Sequence, residues 1–125
     1  MPHSVRAAAH LYDVVRSIDL IVEYLGDTDP EGYRSSRQLK DAVERRFGIV
    51  AEALARLEAS DPLLHAGISN THAIRGFRNV VIHEYDRVDV GVVFDVVRKH
   101  LPTLRAEAAA FLREIDEAAA GDAAG

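Results

Sequence analysis

The chain has 125 residues, 48% of them apolar, and contains no cysteine. That length supports one domain with its own core, and the missing thiols exclude disulfide staples, thiolate metal sites and thiol nucleophiles. The formal net charge of −5 argues against indiscriminate polyanion binding, but it is unevenly spread.

Residues 1–33 carry two basic and six acidic side chains, residues 106–125 one and five, and residues 34–105 twelve and nine. The middle is mildly basic, with Arg34, Arg37, Lys40, Arg45 and Arg46 close together. Such a cluster permits an RNA contact, and a solvated helix face balanced by Asp41 and Glu44 accounts for it equally well. Met1 to Arg6 hold no apolar signal core and no apolar run reaches membrane-spanning length, so a cytoplasmic protein without a membrane anchor is expected.

Nearly every periodic stretch has the helical period. Leu11, Val14, Val15, Ile18, Ile21, Val22 and Leu25 recur at three- and four-residue steps, predicting an amphipathic helix from about Val5 to Leu25. Gly26 closes it, Asp27-Thr28-Asp29-Pro30 reads as a turn, and Glu31–Arg34 as a short helical turn. Ser36 is a candidate N-cap for the next helix, which runs through Leu39, Val43, Phe47, Val50, Leu54 and Leu57 to about Ala59. Asp61-Pro62 breaks that pattern, and a connection of roughly ten residues is expected before Ser69-Asn70-Thr71 caps another helix.

That helix places Ile74, Phe77 and Val81 on one stripe and ends near Asp86. Asp89 then caps a final run carrying Val90, Val93, Val97, Leu101, Leu104, Ala108, Phe111 and Ile115. Pro102 lies inside this run, so a kink or a break into two pieces is expected there. The small residues of Ala118–Gly125 suggest a fraying tail. The expected architecture is all-α, an antiparallel bundle of four long helices and a short one: a single domain over residues 1–117 with a flexible tail over 118–125.

The chemistry concentrates in Arg78-Asn79-Val80-Val81-Ile82-His83-Glu84-Tyr85, where polar groups interrupt an apolar helical pattern. Polar groups in such a setting are costly to desolvate unless something satisfies them. On a helix Asn79 and His83 share a face, with Arg75 one turn earlier. Arg78 and His83 point about 140° apart, which suits a groove or a symmetric interface better than one flat face. Gly76 inside the same helix marks a close backbone approach.

Each residue also has a structural explanation. Arg78 fits a core-edge ion pair with Glu52 or Asp13, Asn79 a buried amide between helices, His83 a satisfied core histidine, and Tyr85 a helix-end aromatic with a wet hydroxyl. Their joint occurrence favours function: an arginine can hold a phosphate and a histidine can move a proton, the minimal kit for RNA cleavage without a metal. A metal site at His83 and Asp86 has too few ligands, with His65 and His72 expected in or near a loop.

The string Arg75-Gly76-Phe77-Arg78-Asn79-Val80-Val81-Ile82-His83-Glu84-Tyr85 resembles the signature of the HepT-like branch of the HEPN ribonucleases. That signature is arginine, a polar residue, three more positions, histidine, any residue, tyrosine. The similarity extends to Leu11-Tyr12-Asp13-Val14, Asp41-Ala42-Val43-Glu44-Arg45-Arg46 with Glu52-Ala53, Val88-Asp89, Val92-Val93 and His100-Leu101-Pro102-Thr103-Leu104. Asn70-Thr71 replaces a Pro-Trp pair often seen before the motif.

The resemblance implies an all-helical HEPN-type bundle that forms a homodimer, with two motifs facing across a cleft. It implies a metal-independent endoribonuclease, needing no cofactor, that acts as the toxin of a toxin–antitoxin pair. Arg78 and His83 are then the catalytic residues, with Asn79 and Arg75 in support. The antitoxin partner would be a minimal nucleotidyltransferase that adds AMP to Tyr85. A non-catalytic, nucleotide-binding partner subunit of such a nucleotidyltransferase is the alternative.

Overall fold

The computed structural model describes residues 5–69, 71–72, 74–75 and 89–124. Among the described residues there are six helices and no strand: α1 Val5–Leu25, α2 Pro30–Ser35, α3 Arg37–Ser60, α4 Pro62–Ala66, α5 Val90–Lys99 and α6 Leu101–Ala124. Thr71, His72, Ile74 and Arg75 are helical as well.

The α1 stripe is narrower than its apolar residues suggest. Leu11, Val14, Ile18, Ile21 and Leu25 are buried, Val15 is only partly buried, and Val22 is 55% exposed. Val15 and Val22 each follow a stripe residue by one position, about 100° round the helix, so they fall on its flank. Gly26 ends α1 at φ +48°, the left-handed conformation that glycine adopts without a Cβ penalty, and its N–H donates to the Val22 carbonyl at 3.0 Å.

Asp29 caps α2 by accepting from the Gly32 N–H at 2.7 Å, with Pro30 in the first helical position. Tyr33 buries its ring against Phe94 of α5 edge-on, with centroids 5.9 Å apart. Its hydroxyl is buried without a hydrogen-bond partner among the described residues.

Three junctions are single residues. Ser36 ends α2 through its N–H to the Tyr33 carbonyl and starts α3 by accepting from the Leu39 N–H. Asp61 donates its N–H to Leu57 of α3 and accepts from the Leu64 N–H of α4. His100 ends α5 through the Val96 carbonyl, and its own carbonyl accepts from Leu104 in α6.

Two expectations change here. The connection after Asp61 is not wholly irregular: Asp61 as cap and Pro62 at the first position nucleate α4. His65 accordingly lies in a helix, and it is buried. At Pro102 the break alternative is the one realised, but two residues earlier, at His100. Proline lacks an N–H and its ring crowds the carbonyl four residues back, so it is accommodated in the first turn of a new helix. From Ala118 the chain continues as helix to Ala124.

α1 packs chiefly on α3 and then on α6. Arg6 and His10, early in α1, share a hollow with Arg56 and Ser60, late in α3, so these two helices run antiparallel. Arg105, early in α6, binds Asp19, late in α1, with distances of 2.6 and 3.1 Å. The core is the shared seam of α1, α3 and α6, including Phe47, Leu54, Leu57, Leu101 and Leu104. No described helix is long and apolar enough to cross a membrane.

Candidate active site

The motif segment is entered through well-anchored chain. Ile68 and Ile74 are buried in the core, and the Ser69 N–H donates to Glu107 of α6 at 2.6 Å. Arg75 Nη2 donates to Glu58 Oε1 on α3 at 3.2 Å. Glu58 Oε2 lies 3.5 Å from His65 Nδ1, so one carboxylate links α3, α4 and the helical turn that holds Arg75. Nε2 of the same ring is buried with no partner among the described residues.

The far boundary is equally fixed. Asp89 accepts from the Gly91 N–H at 2.7 Å, and its carbonyl accepts from Val92 and Val93. Val90 is buried behind it.

Of the residues singled out from sequence, Arg75 is described; Arg78, Asn79, His83 and Tyr85 lie outside the described residues, as do Gly76, Phe77, Val81 and Asp86. Asp13 and Glu52, the acids with which a core-edge Arg78 would pair, both line a groove between α1 and α3. Glu52 already engages Arg56 Nε at 3.1 Å. Sequence reasoning did not single out Glu58. Its signal was faint, a glutamate near the end of an amphipathic helix, and only the fold brings it to Arg75.

The basic run that spans α2 and α3 is partly neutralised, as a solvated face would be. Arg34 pairs with Glu31 at 2.6 Å, and Arg37 with Asp41 at 3.9 Å. Arg45 instead lines the groove, beside Glu44. Burial pushes the Glu44 carboxyl above its usual range, Asp41 adds to this, and Lys40 and Arg37 oppose it. Among the described residues no group of three or more His, Asp or Glu side chains is arranged to hold a metal ion.

Residues 14–111 match the family model described as "Ribonuclease HepT-like". The chain belongs to the HepT-like ribonuclease family. The matched span runs from α1 into α6 and includes the whole of the Arg75–Tyr85 string.

Among relatives of this HepT-like chain, a Methanocaldococcus jannaschii protein named "Gamma-glutamylcyclotransferase and putative RNase" is 32% identical over 111 residues, covering 86% of the chain. The chain spans about half of that relative's length, 48%. A second M. jannaschii protein, named "Putative RNase", is 24% identical over 111 residues, 87% of the chain and 93% of the relative. A "Probable ribonuclease HepT" of Thermococcus cleftensis is 29% identical over 96 residues, 77% of the chain and 86% of the relative. No solved structure matches the chain significantly. The all-α bundle is of the HEPN type that the motif led us to expect.

Proposed function

We propose that this HepT-like chain is an endoribonuclease that cleaves RNA without a metal, as the toxin of a toxin–antitoxin pair. The observation that carries the reading is the family match over residues 14–111, which spans the arginine–histidine–tyrosine string. The names of the relatives, all of which include a ribonuclease, support the same reaction class.

In the proposed reaction a ribose 2′-hydroxyl attacks the adjacent phosphorus. Its proton passes to a base, the new O2′–P bond forms, the P–O5′ bond breaks, and the leaving oxygen takes up a proton. The products are a 2′,3′-cyclic phosphate and a 5′-hydroxyl. His83, a side chain whose ordinary pKa lies near neutrality, moves one of these protons. Arg78 stabilises charge on the phosphorane, with a planar fork suited to phosphate oxygens. Asn79 orients His83 or the phosphate, and Arg75, held by Glu58, supports the start of the motif.

The working unit in this reading is a homodimer with the two motifs across a cleft. The partner is a minimal nucleotidyltransferase that silences the enzyme by attaching AMP to Tyr85. Added negative charge and bulk two residues from His83 would repel and obstruct RNA.

Purified protein incubated with RNA tests the reaction. Cleavage leaving cyclic-phosphate ends, insensitive to chelator, is expected, and His83→Ala or Arg78→Ala should lower the rate by about 10²–10⁴-fold. If both variants cleave RNA as fast as the parent, the assignment of the site is wrong.

A further inference from the structure

A groove of about 530 Å³ runs between α1 and α3 and meets a hollow of about 370 Å³ at the end nearer Ser60. The two share His10 and Arg56. Both volumes lie in the ~300–1,000 Å³ range of small-ligand pockets.

The charges along this path are ordered. The hollow is lined by Arg6, His10 and Arg56 with Ala59 and Ser60, and among the described residues no carboxylate lines it. Arg56 engages Glu52 through Nε, which leaves both terminal amino groups as donors. Further along, Asp13, Glu44 and Glu52 provide acceptors and Arg45 a further cation, beside the apolar floor of Ile49 and Ala53.

Gly48 supplies an independent observation. It sits in the middle of α3, where glycine disfavours the helix relative to alanine, and it lines the groove. A Cβ built there meets nothing within 4 Å, so close packing does not require the glycine. What it does provide is open space in the groove wall.

We propose that the α1–α3 groove binds a strand of single-stranded RNA, with a backbone phosphate seated among Arg6, His10 and Arg56 and the adjoining nucleotide lying past Gly48. The basic end, where no described carboxylate lines the hollow, favours a polyanion, and an arginine pair suits phosphate geometry. The acceptors of Asp13 and Glu52 face the amino groups that bases carry. The inference rests on the ribonuclease reading for the identity of its ligand and names a substrate subsite that the motif does not include.

The test is binding of a fluorescein-labelled, fully 2′-O-methylated oligocytidylate, whose bases carry the amino group, followed by anisotropy over a salt series. This probe has no attacking hydroxyl, so binding is read apart from cleavage. A parent that binds it but fails to cut unmodified RNA would undermine the nuclease reading and leave the groove standing. Gly48→Gln should fill the groove, weakening binding on the order of tenfold, while its melting temperature holds or rises. Arg6→Gln with Arg56→Gln should flatten the slope of log affinity against log salt by about 0.7 for each phosphate no longer neutralised. Unchanged affinity and slope in both variants would overturn the proposal. So would an altered sedimentation mass in Gly48→Gln with RNA binding intact, which would assign the groove to a second copy of the chain.

Discussion

Arg75 and Glu58, seventeen positions apart in sequence, meet through a 3.2 Å hydrogen bond that fastens the start of the motif to α3. Both side chains are close to half exposed, at 42% and 49%, so solvent screens the pair and its contribution to stability is at most about 1 kcal/mol. Its larger effect is on position. Glu58→Gln should reduce RNA cleavage several-fold with little change in melting temperature, and Arg75→Gln should do the same. The double variant should be no worse than either single one, because both remove the same link. Fully additive losses in that cycle would show that the two residues act separately. Raising the salt concentration should narrow the gap between parent and Glu58→Gln.

Tyr85 is the proposed handle for inactivation rather than a participant in cleavage. Tyr85→Phe should still cut RNA, yet resist silencing when co-expressed with the nucleotidyltransferase. Intact-mass spectrometry reads the outcome directly: AMP mass on the parent chain and none on the variant. An AMP adduct mapped to another residue would remove Tyr85 from this role.

The Asp19–Arg105 pair joins α1 to α6 and makes stability depend on pH. The Arg105 hydrogen bonds hold the Asp19 carboxyl below its usual range, with burial opposing and Arg16 adding a smaller push. A lowered carboxyl pKa contributes stability that is fully present above the unfolded value of about 3.9 and is lost as pH falls through the folded one. Asp19→Asn should therefore cost up to about 1 kcal/mol at neutral pH, limited by the 44% exposure of both side chains. The difference from the parent should vanish in acid, which urea denaturation at the two pH values would detect.

Tyr33→Phe should stabilise the protein. The Tyr33 hydroxyl is buried with no partner among the described residues, and burial, with smaller contributions from Glu44 and Asp41, raises its pKa above the usual tyrosine range. Removing an unsatisfied hydroxyl recovers a desolvation penalty of about 1–3 kcal/mol at most, while the edge contact with Phe94 remains. A melting temperature below that of the parent would mean that the hydroxyl has a stabilising role.

The fold was legible where a single physical rule governed it. The three- and four-residue spacing of Leu11, Val14, Ile18, Ile21 and Leu25 sets α1, and Ser36 caps α3 because a short hydroxyl there reaches the Leu39 N–H. Helix α4 was not legible, since five residues hold too little periodicity to stand out. The motif string was readable because its residue types are unusual on an apolar helix. Glu58, Arg6, His10 and Arg56 were not, because ordinary charged side chains gain meaning only from neighbours brought together by antiparallel packing.

The junctions at Ser36, Asp61 and His100 leave no slack between successive helices. An added or deleted residue at any of them would turn everything downstream by about 100°. At Asp61 such a turn would carry both His65 and Arg75 away from Glu58 and break the link that carboxylate makes between α3 and the start of the motif. The bundle is thus phase-locked, like gears meshed tooth to tooth. Insertions are better tolerated where the chain has room to re-register, and the roll angle of one helix sets the aim of those that follow.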